Sequence, residues 1–409
     1  MKKKQPNWRS IDDFHILKNG NDFFPKLLDA CKSAQESIHI SLYWFESGHV
    51  ANDFIEAFIE ARRRNVTITL LLDQVGSLDL SKHDRARLID AGVILGWYNP
   101  VKFERLHLIF QRDHSKLFII DRDILFIGGT GIADIFSPKN HSHSWRENMF
   151  QVQGNIVADA LNSLKRKWAS SDAELERPTK RHQFRFWLNS LFAPPKHHTN
   201  VPAHGNATLN NGLWLESRGS SQRNILNEVI YRIKHSQQRI IFATAYFAPS
   251  PRLRYALKKA VQRGVDVTLL VPGKESDHPI FQRAGQYYYQ GLLKKGVKIF
   301  EFQKSFMHTK LVVCDDFICL GSSNLDIYTQ RWSLEANIAI LDPAKAAEVT
   351  AMLQDDISSS KAIEKNRWDH RGMGIRFLNY LAYSISRWGN NWARQLLLFN
   401  RYYKARKQG

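Results

Sequence analysis

A chain of 409 residues with 43% hydrophobic and 24% charged content has the make-up of a folded protein long enough for two domains, so disorder is not its default state. Lysine and arginine outnumber aspartate and glutamate by 58 to 39, a formal charge of +19, and the expected partner is polyanionic: nucleic acid, an acidic membrane surface or a phosphorylated substrate. The three cysteines, Cys31, Cys314 and Cys319, match no zinc module and read as reduced, buried thiols. Neither a signal peptide nor an apolar run able to span a bilayer is found, so membrane association is expected to be peripheral.

In chain order, the pattern predicts a helix over Phe24–Cys31, a strand over Ser37–Phe45, a helix over Ala51–Arg64 and a strand over Val66–Asp73. The second half repeats the series: a helix over Arg223–His235, a strand over Arg239–Phe247, a helix over Pro251–Arg263 and a strand over Val265–Val271. Even the junctions correspond, with Arg64-Asn65-Val66 answering Arg263-Gly264-Val265 and Ala91-Gly92-Val93 answering Lys295-Gly296-Val297. Apolar strands alternating with helices call for sheets covered on both faces. The fold class is therefore α/β, with two tandem domains about a pseudo-two-fold axis, over 1–176 and 214–365. A Pro-, Asn- and His-rich linker over 177–213 separates them, and a basic, aromatic-rich tail covers 366–409.

Each half also carries the same phrase. His114-Ser-Lys116 is followed by four apolar residues and Asp121; His308-Thr-Lys310 is followed by four and Asp315. In a strand, residues two apart share a face, so each His and Lys can converge on one phosphate. Asp121 and Asp315 join the candidate catalytic set by position. An odd spacing from the His turns them away from the phosphate and favours a supporting role. After a polar turn, Ile124–Ile127 and Phe317–Leu320 return as strands into Gly128-Gly129-Thr130 and Gly321-Ser322-Ser323-Asn324. Small residues there let backbone N–H groups and hydroxyls approach a phosphate oxygen. Where the second copy has Asn324 the first has Gly131. Glu147 and Glu335 each open a predicted strand downstream of a motif, and an imidazole acting on phosphorus needs such an acceptor on its other nitrogen. Two lysines and backbone donors leave no need for a metal or any other cofactor.

This doubled phrase resembles the HKD signature of the phospholipase D superfamily. The strings Ser41-Leu-Tyr43-Trp44-Phe45-Glu46, Leu71-Leu-Asp73-Gln-Val-Gly76-Ser77, Ala245-Tyr246-Phe-Ala-Pro249 and Ser333-Leu-Glu335-Ala-Asn337 narrow the likeness to bacterial cardiolipin synthases of the B type, which lack N-terminal transmembrane helices. The resemblance runs from near Ile11 to near Lys345. It implies two phospholipase D-type domains, with one histidine attacking phosphorus and the other serving as acid and then base. Which does which is left open. It also implies Lys116 and Lys310 as phosphate clamps, Glu147 and Glu335 behind the histidines, and transfer of a phosphatidyl group from phosphatidylglycerol to the glycerol headgroup of a second lipid. Gly131 departs from the family's Asn.

The tail supports a lipid partner, because Trp368, Phe377, Tyr380, Trp388 and other aromatics alternate with Arg371, Arg376, Arg387 and further cations. The linker segment Phe184–Phe192 has the same character. The expected partners are anionic phospholipids and the cytoplasmic membrane surface. A phospholipase or nuclease remains the rival reading, since the charge would serve nucleic acid equally; no separate nucleic-acid module is found.

Overall fold

The computed structural model describes residues 7–102, 109–170, 172–176, 192 and 211–388. Two sheets organise them. The first runs in the order Asp13–Leu17, Met149–Gln153, Ile124–Gly128, Leu117–Ile120, Ser37–Leu42, Thr67–Asp73, Ile94–Tyr98 and Ala173–Leu175. The second runs Arg9–Ser10, Asn211–Arg218, Leu334–Leu341, Phe317–Gly321, Leu311–Cys314, Arg239–Ala243, Asp266–Pro272, Lys298–Phe302 and Ser360–Ala362, with Gln222–Arg223 paired to the side. In both, three parallel strands linked by helices meet an antiparallel hairpin that follows the His-x-Lys phrase.

Each sheet is covered on both faces, as its unbroken apolar strands require. Helices Gly20–Ser33 and His49–Arg63 pack on the outer face of the first, burying Phe23, Phe54 and Phe58 against Phe118 and Phe126. Asn224–His235 and Pro251–Gln262 do the same for the second. The inner faces share one core: Leu117 and Ile119 join Leu311 and Val313, together with helices Ile156–Ala169 and Pro343–Ser358. A side chain such as Phe118 contributes on the order of 1.5–3 kcal/mol when fully buried, so the strands behind the two motifs are firmly mounted.

The pseudo-repeat extends to backbone conformation. Asn65 (φ 66°) and Gly264 (φ 91°) end matching helices in the left-handed region, and Gly92 (φ 84°) and Gly296 (φ 92°) do so at the next pair of junctions. The first helix begins earlier than its apolar periodicity indicates, at Gly20, because the Asn19 side chain accepts a hydrogen bond from the Asn21 amide and caps it. The predicted strands Ser37–Phe45 and Arg239–Phe247 stop short, at Leu42 and Ala243. At both places the chain leaves the sheet so that Tyr43 and Tyr246 can wall a cleft.

Arg9–Ser10 pairs with Asn211–Gly212 of the second sheet, so the chain's first described strand lies outside the first domain's sheet. Trp368 is buried in the outer core of the second sheet, and residues 373–388 form a helix beside it. Most of the linker, including Phe184–Leu191, and the tail beyond 388 lie outside the described residues. Among the described residues no helix is long and apolar enough to cross a membrane.

Candidate active site

His114 and Lys116 precede the regular strand, which begins at Leu117; likewise His308 and Lys310 precede Leu311. What holds these extended segments is the opposite domain. The His114 amide donates to the Leu334 carbonyl (2.9 Å) and the Leu334 amide to the Arg112 carbonyl (2.8 Å). The pseudo-symmetric pair is Arg146 N–H to Phe306 O (2.9 Å) and His308 N–H to Arg146 O (2.8 Å). Each histidine is thereby paired in the backbone with the residue just before the other domain's glutamate.

The side chains follow. His114 Nδ1 lies 3.1 Å from Glu335, and His308 Nδ1 lies 2.6 Å from Glu147. Each imidazole is therefore oriented by the domain that does not carry it. With Nδ1–H donated to a carboxylate, Nε2 keeps its lone pair for the cleft, the tautomer a nucleophile or base requires. Bidentate pairing of Arg146 with Asp356 (3.0 and 2.9 Å) adds a further bond between the halves.

The two half-sites are built differently. His114 retains 17% side-chain exposure and has Tyr43 beside it (ring centroids 4.9 Å). His308, at 7%, is ringed by Trp145 (5.1 Å), Phe306 (5.8 Å), Phe136 (6.1 Å) and Tyr246 (6.3 Å). Burial and the neighbouring Lys310 push the His308 pKa down to about 3; burial and Lys116 lower His114 as well. Lys116 lines the cleft, donates to the His114 carbonyl (2.7 Å), and is drawn down to about 7 mainly by burial. A phosphate beside it would favour its charged form. Lys310 sits behind His308, donating to Glu147 (3.3 Å) and to the His308 carbonyl. Burial works to raise the Glu147 pKa, and Lys310 and His308 more than offset it, so the carboxylate stays ionised.

Of the glycine-turn residues and their counterparts, Gly129, Gly131 and Asn324 reach the cleft. A Cβ on Gly129 would fall 2.0 Å from a Glu147 oxygen, so this glycine makes room for the carboxylate that holds His308. Ser322, at the corresponding place, instead donates its hydroxyl to Glu335. Gly128 packs under Asn148, and a Cβ there would meet the Asn148 carbonyl at 2.4 Å. Ser323 is buried and accepts from the Leu325 amide. Thr130, a candidate phosphate contact on sequence grounds, is fully buried and donates to the Gly131 carbonyl (3.1 Å), which removes its hydroxyl from that role. Gly131 is enforced: a Cβ would meet the Trp44 carbonyl at 2.4 Å. The first half-site thus offers backbone where the second offers the Asn324 side chain.

Asp121 and Asp315 belong elsewhere, which corrects their grouping with the catalytic residues. Both sit at the far end of the motif strand with positive φ (49° and 52°). Asp121 accepts from the amides of Gln35, Glu36 and Ser37 (2.7–2.9 Å), and Asp315 from those of Gln237, Gln238 and Arg239 (2.7–3.0 Å). They tie the hairpin turn to the start of the central strand, the supporting role that the odd spacing favours.

Sequence reasoning did not assign Tyr43, Tyr246, Phe136 or Trp145, which wall the cleft; the signal was a tyrosine shortly after each central strand. It also missed a buried network behind His114. Lys167 pairs with Asp113 (2.9 Å), Ser41 and Ser115 donate to the same carboxylate, and Asp73 accepts from Arg112 (3.2 Å) and the Asp113 amide (2.9 Å). A lysine on an amphipathic helix gives no sign of such burial.

Between the half-sites lies a cleft of about 520 Å³, lined by both histidines, Lys116, aromatic side chains from both domains and the aspartates Asp79, Asp277 and Asp326. Among the described residues no group of three or more His, Cys, Asp or Glu side chains is placed to hold a metal ion. Two imidazoles backed by carboxylates, with lysines beside them, define a phosphotransfer enzyme of the phospholipase D type.

Comparison with known proteins narrows that class. The family model for the cardiolipin synthase, phospholipase D-like domain matches residues 27–168 and 229–357, and the chain belongs to that family. It is 31% identical to cardiolipin synthase B of Salmonella typhi over 82% of this chain and 78% of that one. It is 27% identical to the probable cardiolipin synthase YwiE of Bacillus subtilis over 90% and 71%. In fold it is similar to the phosphatidylserine synthase of Haemophilus influenzae, with a TM-score of 0.73 at 13% identity, covering 96% of this chain and 97% of the other.

Proposed function

We propose that the protein makes cardiolipin by phosphatidyl transfer. Nε2 of one histidine attacks the phosphorus of phosphatidylglycerol, and the bond to the headgroup glycerol breaks. The second histidine enters the cycle as an imidazolium held by its glutamate, and its Nε2–H protonates the departing alkoxide. The neutral ring then returns to its starting state by taking the proton from the terminal hydroxyl of a second phosphatidylglycerol. That oxygen attacks phosphorus, the P–N bond breaks, and cardiolipin leaves, with glycerol as the other product. Lys116 and the glycine-turn amides stabilise charge on the non-bridging oxygens. Lys310 acts through Glu147 and the His308 segment, by the contacts described above.

The observation that carries this reading is the pair of crossed His–Glu contacts opening into an aromatic cleft. Aromatic walls exclude the water that would compete with the acceptor alcohol, and the aspartates Asp79, Asp277 and Asp326 in the lining suit a single phosphodiester better than the highly charged backbone of a nucleic acid. The cardiolipin synthases among its relatives point to the same reaction. Incubating the protein with phosphatidylglycerol carrying a labelled phosphate should yield labelled cardiolipin and free glycerol. Phosphatidic acid as the sole product would mean hydrolysis, and cleavage of DNA without lipid turnover would mean a nuclease.

A further inference from the structure

The helix over 373–388 packs the wrong way round for a helix in water. The side it lays on the second domain carries Asn379, Ala382, Tyr383 and Ser386, at successive turns of one face. Tyr383 stacks on Tyr287 (ring centroids 4.1 Å), and Ser386 and Tyr383 lie beside Tyr328. Its other side presents Phe377 (62% exposed), Leu378, Leu381, Ile385 and Trp388 (69% exposed), spaced so as to form one stripe. Helical periodicity sets Arg376 and Arg387 on the flank between that stripe and the domain, next to the exposed Tyr380. Arg376 donates to the Asp369 carbonyl and Arg387 to the Tyr383 hydroxyl.

The helix that carries this stripe packs beside the cleft. Tyr328, under the helix, lines the cleft, and so does Phe281, whose ring lies 5.3 Å from it. Ile280 (56% exposed), Phe281 and Tyr287 extend the apolar surface from the helix to the cleft mouth. On the first domain's side, Leu78 (70% exposed) projects from the loop whose Val75, Gly76 and Asp79 line the same cleft.

We propose that this surface docks on an anionic phospholipid bilayer, with the cleft mouth facing the lipid. The inference rests on the lipid-transfer reading above. A cleft of about 520 Å³ is the size that takes a drug-like molecule. It receives a headgroup and phosphodiester, and the acyl chains of donor and acceptor stay outside. An apolar stripe with two arginines on the flank behind it, on a chain of charge +19, matches an acyl boundary under anionic headgroups. Nucleic acid would leave Leu378, Leu381 and Ile385 without a partner. Substrate then enters and leaves sideways from the bilayer, and its chains do not cross water.

The test is flotation of the full chain with phosphatidylglycerol vesicles and with phosphatidylcholine vesicles, scored separately from lipid conversion. Leu378→Ser/Leu381→Ser/Ile385→Ser should weaken binding to phosphatidylglycerol vesicles about tenfold or more while melting temperature and turnover of detergent-dispersed lipid hold. Arg376→Glu/Arg387→Glu should weaken binding to phosphatidylglycerol and leave binding to phosphatidylcholine unchanged, and it decides the matter if the triple variant fails to fold. Wild-type binding in the triple variant, or in the charge reversal where the triple variant is unfolded, overturns the proposal. So does a wild-type dimer that the triple variant converts to monomer, which would make the stripe a contact between two copies. Intact vesicle binding without any lipid product would overturn the transfer reading alone.

Discussion

The two half-sites descend from one pattern, yet they solve the same problem with different parts. His114 looks onto an open stretch of cleft, and its orienting Glu335 is steadied by the Ser322 hydroxyl. His308 is enclosed by aromatic rings, and its orienting Glu147 is steadied by Lys310 and the Asn148 amide, in the space that Gly129 leaves. One side is a hydrogen-bonded and partly exposed environment; the other is an enclosed, ion-paired one. The lesson is that a pseudo-symmetric active site needs equal catalytic groups but not equal support, and the support decides how readily each imidazole takes a proton.

The sharpest way to break the comparison is to remove either imidazole. His114→Ala and His308→Ala should each lower kcat by at least ~10³-fold, because one group cannot be nucleophile and acid together. A steady-state assay that finds one variant near full activity would show the half-sites to be independent.

Next come the crossed carboxylates. Glu147→Gln and Glu335→Gln should each cost roughly 10²- to 10⁴-fold in kcat, as an amide no longer fixes the tautomer of the ring or stabilises its charged form. The loss should be greater for Glu147→Gln, since Lys310 then lies buried beside a neutral partner. Equal losses would mean that Lys310 contributes nothing through Glu147.

Ser322→Ala probes the support on the first side only. It removes one charge-assisted hydrogen bond to Glu335, worth on the order of 1.5–3 kcal/mol, and should lower kcat by about tenfold or somewhat more. KM for the lipid should stay close to wild type, because Ser322 does not line the cleft.

The smallest effect is on acid stability. The folded-state pKa of His308, about 3, lies below its ordinary 6.5. Between those values the unfolded chain binds a proton that the folded chain refuses. Stability from this group is therefore full above the upper value and falls as pH drops toward the lower. In urea titrations at about pH 5 and about pH 7.5, His308→Gln should lose less stability on acidification than wild type, and His114→Gln should show a smaller change of the same sign. A steeper acid dependence in His308→Gln would contradict the enclosed environment assigned to it.

Much of this was legible in the sequence for physical reasons. The His-x-Lys spacing, the apolar strands behind it and the repeated helix–strand series announce their own geometry locally. Glu147 and Glu335 could be picked out, but not matched to their histidines, since the pairing depends on backbone bonds at Leu334 and Arg146 between residues far apart in the chain. Tyr43 and Tyr246 read as continuations of strands because apolar aromatics favour them, and only the cleft explains why the strands stop. Residues 373–388 show their aromatic and basic content in the sequence. Periodicity alone would have turned the apolar stripe inward, whereas the tyrosines at 287, 288 and 328 make a partner for the opposite face.

The central claim is that both domains together make one histidine a nucleophile toward phosphorus. A single-turnover experiment with acyl-labelled phosphatidylglycerol, stopped by neutral detergent denaturation, tests it most directly. The account predicts a covalent lipid adduct on one histidine, acid-labile as a P–N bond should be, which disappears as cardiolipin forms when unlabelled phosphatidylglycerol is added. Cardiolipin forming at full rate with no adduct at any time would contradict it.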